Sequence, residues 1–541
     1  MIKKIKDNKI IIIIFIIMFL FGIHYMKDIT ANFDEDFEQS IVLSNIKSYA
    51  FFFKNHELED ALTKRYIVEI NYSVERDHGV ACYYPLFPLL LLSKEIPDIV
   101  SSIWRVYVYI IYFIGVIFFY KTTKVISKNN KIAILMTLLY FLSPRIFIDS
   151  LHNNKDITLM SLLIISFYYL IRIMKDNKNK DMIIFAFIIA LLSNVKIIGI
   201  FFSGIMGIAY IIYLLLHKKL TQERIIDILF TFVLYIIIFI LITPVIFTDG
   251  FHLIEYILYC LNSSVNFRWN GTVLFDGIYY NTAAGNRVPW YYLPKNIIIT
   301  LPLIITILFI ISITMFVIKI IKERKNKKID FKNYLFIIIF TMFIIPFLIC
   351  IIKKPNIYNS WRHFYFLYPL ILLICNYVLI YIKKVKYKRI IIILIIISMI
   401  DSIYNIIRYD VRNAAYYNIL VGTKDISKKY ELDYYHVTTK KALEEFLASD
   451  KYQKNKDNKI YLYQSYNYLQ DAGLLSLVEH SYELSKKVVI VTQENLKELK
   501  RQKKNIYFIS NTVYEYKTYP KYKLEYVYKI KNNSILKFYK V

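Results

Sequence analysis

Three short stretches of this sequence place carboxylates beside cations. NFDEDFEQ (Asn32 to Gln39) holds four carboxylates, Asp34, Glu35, Asp36 and Glu38. SPRIFIDSLHNNKD (Ser143 to Asp156) supplies Arg145, Asp149, His152, Lys155 and Asp156. YNSWRHFYF (Tyr358 to Phe366) adds Arg362 and His363. That combination suits a lipid phosphate: Lys and Arg neutralise it, and a carboxylate takes a proton from a nucleophile. For any one of these residues, snorkelling to a membrane interface explains the charge equally well. Three stretches on one side of a bilayer favour use in a site, because charges flanking a membrane are otherwise costly.

Other residues carry less. His78 in ERDHGVACYYPLFP (Glu75 to Pro88) is expected to be structural, and Tyr83, Tyr84, Pro85 and Pro88 to shape an interfacial turn. PWYYLP (Pro289 to Pro294) suits an aromatic belt, with sugar stacking as the alternative. Lys196 in SNVK is either a snorkelling residue or a buried ion-pair partner. The four cysteines have no metal-type spacing and imply no disulfide framework. No Gly-rich phosphate loop, HExxH or nucleophile elbow is present, so ATP-driven transport and zinc proteolysis have no support.

The elements that must position the charged stretches are membrane spans. The chain is 57% hydrophobic, above the half-apolar composition of soluble domains. The excess lies in runs such as Ile10 to Ile23 and Ile390 to Ile400, which with their flanks approach the roughly 20 residues that cross a bilayer. The net charge of +28 falls largely in short clusters between these runs rather than on one surface. That is the pattern of cytoplasmic loops, and nucleic acid is not an expected partner.

Six clusters set the topology: MIKKIKDNK, Lys121 to Lys131, Lys175 to Lys180, His217 to Arg224, Lys322 to Lys328 and Lys383 to Arg389. If all are cytoplasmic, even numbers of spans separate them. The apolar segments comply, at about 10–26, 102–120, 132–148, 157–173, 182–198, 199–216, 226–246, 296–320, 333–352, 362–382 and 388–406. The first is expected to be a retained helix rather than a cleaved signal, since no small-x-small site follows it.

The expected fold class is therefore an α-helical polytopic membrane protein of about 11 transmembrane helices, with its N-terminus cytoplasmic. Outer loops follow at 27–101, 149–156, 247–295 and 353–361 of a transmembrane domain, 1–406, and a small extracytoplasmic C-terminal α/β domain at 407–541. His252 to Leu261 has apolar residues at helical spacing and is expected in the interface. In the tail, a helix near Thr438 or Thr439 with Ala442, Leu443, Phe446 and Leu447 on one face comes first. Strands at Lys459–Gln464 and Val488–Thr492, a helix at Gln493–Gln502 and a hairpin around Asn532–Asn533 follow.

These loops resemble the GT-C glycosyltransferases, in the bacterial branch related to protein O-mannosyltransferases and the aminoarabinose transferase of lipid A. Asp34-Glu35 after the first span resembles the family's Asp-Glu motif, and SPRIFIDSLHNNKD its SPR…N-x-KD stretch. NGTVLFDG (Asn270 to Gly277) and VPWYYLP (Val288 to Pro294) resemble its second large outer loop. WRHFYFLYP (Trp361 to Pro369) resembles its Arg-His entry to a late helix. AYYNILVG (Ala415 to Gly422) and YELDYY (Tyr430 to Tyr435) resemble a signature after the last span. Asp36 and Glu38 stand where the family often has His or Pro, so the choice of base within the first loop stays open.

The resemblance implies inverting transfer of a sugar from a polyprenyl-phosphate donor on the outer face of the bacterial cytoplasmic membrane. Asp34, Glu35 and Asp156 would be the catalytic carboxylates, with Asp34 taking the acceptor proton and Asp156 orienting Lys155 or the acceptor. Lys155, Arg362 and either Arg145 or His363 would hold the departing phosphate. Some members of the family use a divalent cation, and Asp34 and Asp156 could hold one (Mg or Mn) through oxygen ligands, but the resemblance fixes no cofactor. Partners would be the donor, membrane lipids and a protein, lipid or glycan acceptor. The alternatives are a flippase or transporter of lipid-linked sugars, which would place polar residues at the midplane, and a membrane-anchored scaffold.

Overall fold

The computed structural model describes residues 2–29, 33–73, 75–248, 252–266, 272–281, 285–322, 330–453, 459–463, 482–511 and 522–541. The basic run after Lys322, Asn32 of the first acidic stretch and Asn270 and Gly271 of the second long loop lie outside them.

Helices occupy every expected apolar segment. Eight are long and apolar enough to cross a membrane: Lys9–Met26, Pro97–Ser127, Asp156–Asp176, Ile198–Leu216, Gln222–Leu241, Leu303–Lys322, Phe331–Lys353 and Val385–Ala415. Shorter helices, Asn130–Phe141, Asn179–Val195 and Leu367–Tyr381, fill the remaining three segments. Leu229, Phe230, Phe232 and Val233 on one helix are all more than half exposed. Water would not tolerate so continuous an apolar surface, but lipid does. The chain is an integral membrane protein.

Prolines trim the expected segments. The run at 132–148 is not one helix, because Ser143 precedes Pro144 and takes an extended backbone (ψ 114°), closing Asn130–Phe141 and starting the short helix Pro144–Asp149. Leu301, before Pro302, is extended in the same way (ψ 155°) and divides 296–320 into Tyr292–Thr300 and Leu303–Lys322. The late segment expected from residue 362 begins its helix only at Leu367, and Arg362–Phe364 form a 3-10 turn ahead of it.

The first long loop is largely helical. Phe33–Phe52 carries Asp34, Glu35 and Asp36 in its first turn, where the helix dipole favours negative charge. The break at Lys196–Ile197 separates Asn179–Val195 from Ile198–Leu216. The loop docks on that break: Asn194 Oδ1 accepts from the Ala81 N–H at 3.0 Å, and its amide donates to Thr243 Oγ1 at 3.0 Å. Contact is so close that a Cβ on Gly79 would lie 1.7 Å from the Asn194 carbonyl oxygen. Gly79→Ala is therefore expected to lower stability by roughly 1–3 kcal/mol, measured as thermal unfolding in detergent.

After the last span the chain folds into a five-stranded sheet. Its order is β4 (Val488–Val491), β3 (Ile460–Tyr463), β5 (Ile506–Asn511), β7 (Asn533–Lys540), β6 (Lys523–Ile530). β3 pairs in parallel with β4 and β5, and β7 is antiparallel to both its neighbours. Helix Thr439–Ala448 covers the sheet through Phe446, stacked on Phe538 at 4.5 Å. Leu496 and Leu499 of helix Gln493–Arg501 pack against the cluster of Tyr463, Val491, Ile506 and Phe508. A further hairpin, β1 (Thr272–Phe275) and β2 (Ile278–Asn281), lies in the second long loop. The helix Leu253–Asn266 buries Tyr256 and Cys260 and exposes Ile254, Leu258 and Leu261.

Candidate active site

Arg362 is the centre of the charged site. It is buried, and Nη1 lies 3.0 Å from Asp34 Oδ2 and 3.7 Å from Asp156 Oδ2, as well as donating to the Tyr435 hydroxyl. The rings of Tyr358, Tyr434 and Tyr435 surround the guanidinium at 4.8, 5.3 and 4.8 Å. Aromatic faces hold an arginine without discharging it, so the site keeps its positive potential in a water-poor setting.

Asp156 opens its helix, and its backbone N–H donates to Asn153 Oδ1 at 3.0 Å while Asn153 Nδ2 returns a bond to Asp156 Oδ2 at 3.1 Å. Its other oxygen is paired with Lys196. Lys196 is thus a partly buried ion-pair partner of a buried carboxylate and not a snorkelling residue. Removing the cation alone strands a buried carboxylate. Lys196→Met is expected to cost roughly 3 kcal/mol of stability, with Asp156→Asn in the same chain restoring most of it, as a double-mutant cycle of unfolding would show.

Successive helical residues point about 100° apart, and this sorts the first-loop carboxylates. Asp34 faces Arg362 and keeps 37% of its side chain accessible. Glu38, one turn on, shares that face and lies 3.5 Å from Lys155 Nζ and 3.6 Å from His78 Nδ1. Burial alone would raise the Glu38 carboxyl, but Lys155 and His78 outweigh it and hold the group below the usual range. Glu35 is turned into the core, where Gln39 Nε2 donates to it at 3.4 Å, away from Arg362.

His363 is half-buried beside Tyr358, with ring centroids 4.7 Å apart. Burial, then the charges of Arg362 and Lys196, lower its pKa well below the ordinary value, so its imidazole is neutral. Among the described residues, neither His363 Nε2 nor Arg362 Nε has a hydrogen-bond partner. Two buried polar atoms are left unsatisfied within a cationic cluster, a costly arrangement unless a ligand completes it.

Arg145 belongs to an adjoining network. Its Nη2 donates to Asn359 Oδ1 at 3.3 Å, and its guanidinium lies over Tyr417 at 5.7 Å. Asp149 accepts from the Tyr365 hydroxyl and lies 3.3 Å from His152 Nε2. His152 in turn meets Tyr435 edge-on at 4.9 Å. The structure brings Asp34, Asp156, Lys155, Arg362 and His363 into one region, with Arg145 behind it and Glu35 to one side.

Several contributors carry little signal of their own in the sequence. Asn153 and Glu38 were visible within the singled-out stretches, but nothing in the spacing told them from their neighbours. Tyr434 and Tyr435 come from the segment after the last span, whose only signal was YELDYY. His78, expected to be structural, bridges Glu38 and Glu75, 3.0 Å from the latter. Among the described residues the group spaced to hold a metal ion is Glu75, Asp77 and His78, with ligand atoms within 4.8 Å of one another. Asp34 and Asp156, the carboxylates compatible with a cation, both pair with Arg362, and Asp156 pairs also with Lys196.

Residues 90–247 match the model of the family described as dolichyl-phosphate-mannose-protein mannosyltransferase. Over that stretch the chain is similar to this mannosyltransferase family. The matched stretch includes Arg145, Lys155, Asp156 and Lys196, whereas Arg362, which pairs with Asp156, and its partners Asp34 and Tyr435 come from outside it. Two solved structures are similar in outline. One is ArnT from Cupriavidus metallidurans bound to undecaprenyl phosphate, with 9% identity, a TM-score of 0.46 and coverage of 97% of each chain. The other is the same protein in the apo state, with 10% identity, a TM-score of 0.47 and coverage of 98% of each chain. No curated protein matches the sequence.

Proposed function

We propose that this protein is an inverting glycosyltransferase that moves a sugar from a polyprenyl-phosphate donor to an acceptor hydroxyl. The observation that carries the reading is the convergence on Arg362. Arg362 pairs with Asp34 and Asp156, Asp156 pairs also with Lys196, and Lys155 pairs with Glu38 of the Asp34 helix, so charged residues from four separate parts of the sequence meet around it. The family match supports the reaction class.

In this reading Arg362 and Lys155 take the donor phosphate, and neutral His363 offers a ring nitrogen. The phosphate displaces Asp34 from Arg362 and so frees its carboxylate beside the anomeric carbon. Asp34 accepts the proton of the acceptor hydroxyl, whose oxygen bonds to that carbon from the face opposite the phosphate. The carbon–oxygen bond to phosphate breaks, and its electron pair leaves on the phosphate, where the cations stabilise it. Phosphate needs no protonation to depart, so a second acid of the glycosidase kind is not required. Asp156, paired on both oxygens, orients Arg362 and Lys196; Arg145 acts from the adjoining network. The step as written draws on side chains alone.

We place the site on the outer face of the bacterial cytoplasmic membrane, because the basic clusters fall at the opposite ends of the helices. On that placement eleven helices cross, the N-terminus is cytoplasmic, and the part after the last span is extracytoplasmic. The test is a transfer assay: protein in lipid, a panel of radiolabelled polyprenyl-phosphate sugars and a membrane extract as acceptor. Label moved by wild type supports the reading. Movement of donor across liposomes without any acceptor, and no transfer, would replace it with a flippase.

A further inference from the structure

We propose that Glu431 is a positioning residue for Arg362, its carboxylate fixing the turn Asn359–Ser360 from which Arg362 follows. The role assigned to Arg362 rests on the transferase reading, but the contact between Glu431 and the turn does not.

Glu431 lies after the last span, four residues before Tyr435, and is 3% exposed. The backbone N–H groups of Asn359, Ser360 and Leu274 face its carboxylate, with Arg145 nearby. These N–H groups come from two segments, so one carboxylate joins the second long loop and the Arg362 turn to the tail. Among the described residues, neither carboxylate oxygen closes to full hydrogen-bond geometry. The group is ringed by donors without being tightly bonded to any one.

The turn needs such a support. Asn359 and Ser360 both have positive φ, 54° and 60°, a conformation that Asn tolerates better than most L residues but that Ser rarely adopts without support from its surroundings. Successive N–H groups turned to one side form a concavity suited to an anion. Arg145 grips the same turn through Asn359 Oδ1, and Ser360 Oγ donates to Asn296 Oδ1 at 3.0 Å. Beyond the turn, Trp361 is anchored by Nε1 donating to Thr300 Oγ1 at 2.7 Å, and Arg362 then reaches Tyr435. Glu431 and Tyr435, on one short segment, thus hold both the approach to Arg362 and its guanidinium.

Burial raises the Glu431 carboxyl to about 7 against the opposing pull of the Asn359 N–H and Arg145. The other groups facing it keep their charge state near neutrality. Burial pushes Tyr417 up to about 12 and Tyr292 well above its ordinary value, and arginine stays cationic. Deprotonation of Glu431 therefore tightens the turn as pH rises through about 7. The effect on global stability has the opposite sign. A carboxyl with a raised folded-state pKa binds its proton more tightly when folded, so stability increases as pH falls through about 7. A merely structural role would move local order and global stability together; this arrangement moves them apart.

The experiment is hydrogen exchange of the backbone N–H groups of 359–362 in the full chain in detergent, from pH 6 to 8, corrected for intrinsic rates. It is paired with thermal unfolding and with binding of a short-chain polyprenyl phosphate. In wild type, protection of the turn is expected to rise about tenfold across the range while the unfolding temperature falls. In Glu431→Gln the protection stays at the low-pH value and is flat. Flat wild-type exchange, or a variant whose exchange follows the wild type, overturns the proposal. If the variant does not fold, the wild-type exchange profile still decides. Protection that follows pH while the phosphate never binds would leave Glu431 as the support of the turn and remove the donor from the site.

Discussion

Asp34→Asn is expected to reduce sugar transfer by about a thousandfold, within the range lost when a general base is removed. Asparagine keeps the shape of the side chain and can still lie beside Arg362, but it cannot take a proton. The structure gives a reason to choose Asp34 over its neighbours. Asp34 pairs directly with Arg362, and with 37% of its side chain accessible it can meet an acceptor. Glu35 is buried against Gln39, so Glu35→Gln is expected to alter packing far more than rate. An ion pair so exposed on one side contributes little to folding, and Asp34→Asn should insert and unfold much as wild type does. The comparison is label moved from a polyprenyl-phosphate sugar by the two variants and wild type in lipid. Full transfer by Asp34→Asn, with Glu35→Gln also active, would exclude the first-loop carboxylates as the base.

The helices were legible because their signal is long and redundant: each apolar run is flanked by charge, and the parity of the basic clusters divided 182–216 into two helices on topology alone. The hairpin at Asn532–Asn533 was legible for a similar reason, since polar turn residues separate two β-rich runs that pair as β6 and β7. What escaped depended on single residues. Pro144 and Pro302 broke helices inside stretches whose hydrophobicity is continuous. The site was legible as three charged stretches, but pairing is a matter of direction. Asp34 and Glu35 are equivalent in sequence, and only the helical turn sends one to Arg362 and the other into the core. Lys196 had two readings until the break before Ile198 placed it against Asp156. The segment Glu431–Tyr435 lies some seventy residues from Arg362, and its burial could not be inferred from a local pattern.

Arg362→Lys separates charge from geometry at the centre of the site. Lysine keeps the positive charge but loses the planar fork and the broad face that Tyr358, Tyr434 and Tyr435 enclose. One ammonium cannot reproduce the contacts to Asp34, Asp156 and the Tyr435 hydroxyl together with a site for a phosphate. The expected result is a loss of about a hundredfold in kcat/KM, in line with removal of one donor to a developing anion. Arg362→Ala goes further, because Asp156 then keeps only Lys196 and Asp34 loses its partner; roughly 3–5 kcal/mol of stability should go with it. The pair of variants therefore distinguishes two roles for Arg362. If Arg362→Lys folds normally and transfers poorly, the guanidinium acts on the donor. If it folds normally and transfers at the wild-type rate, Arg362 is a structural counter-ion for Asp34 and Asp156, and the phosphate must be held by Lys155 and His363 without it.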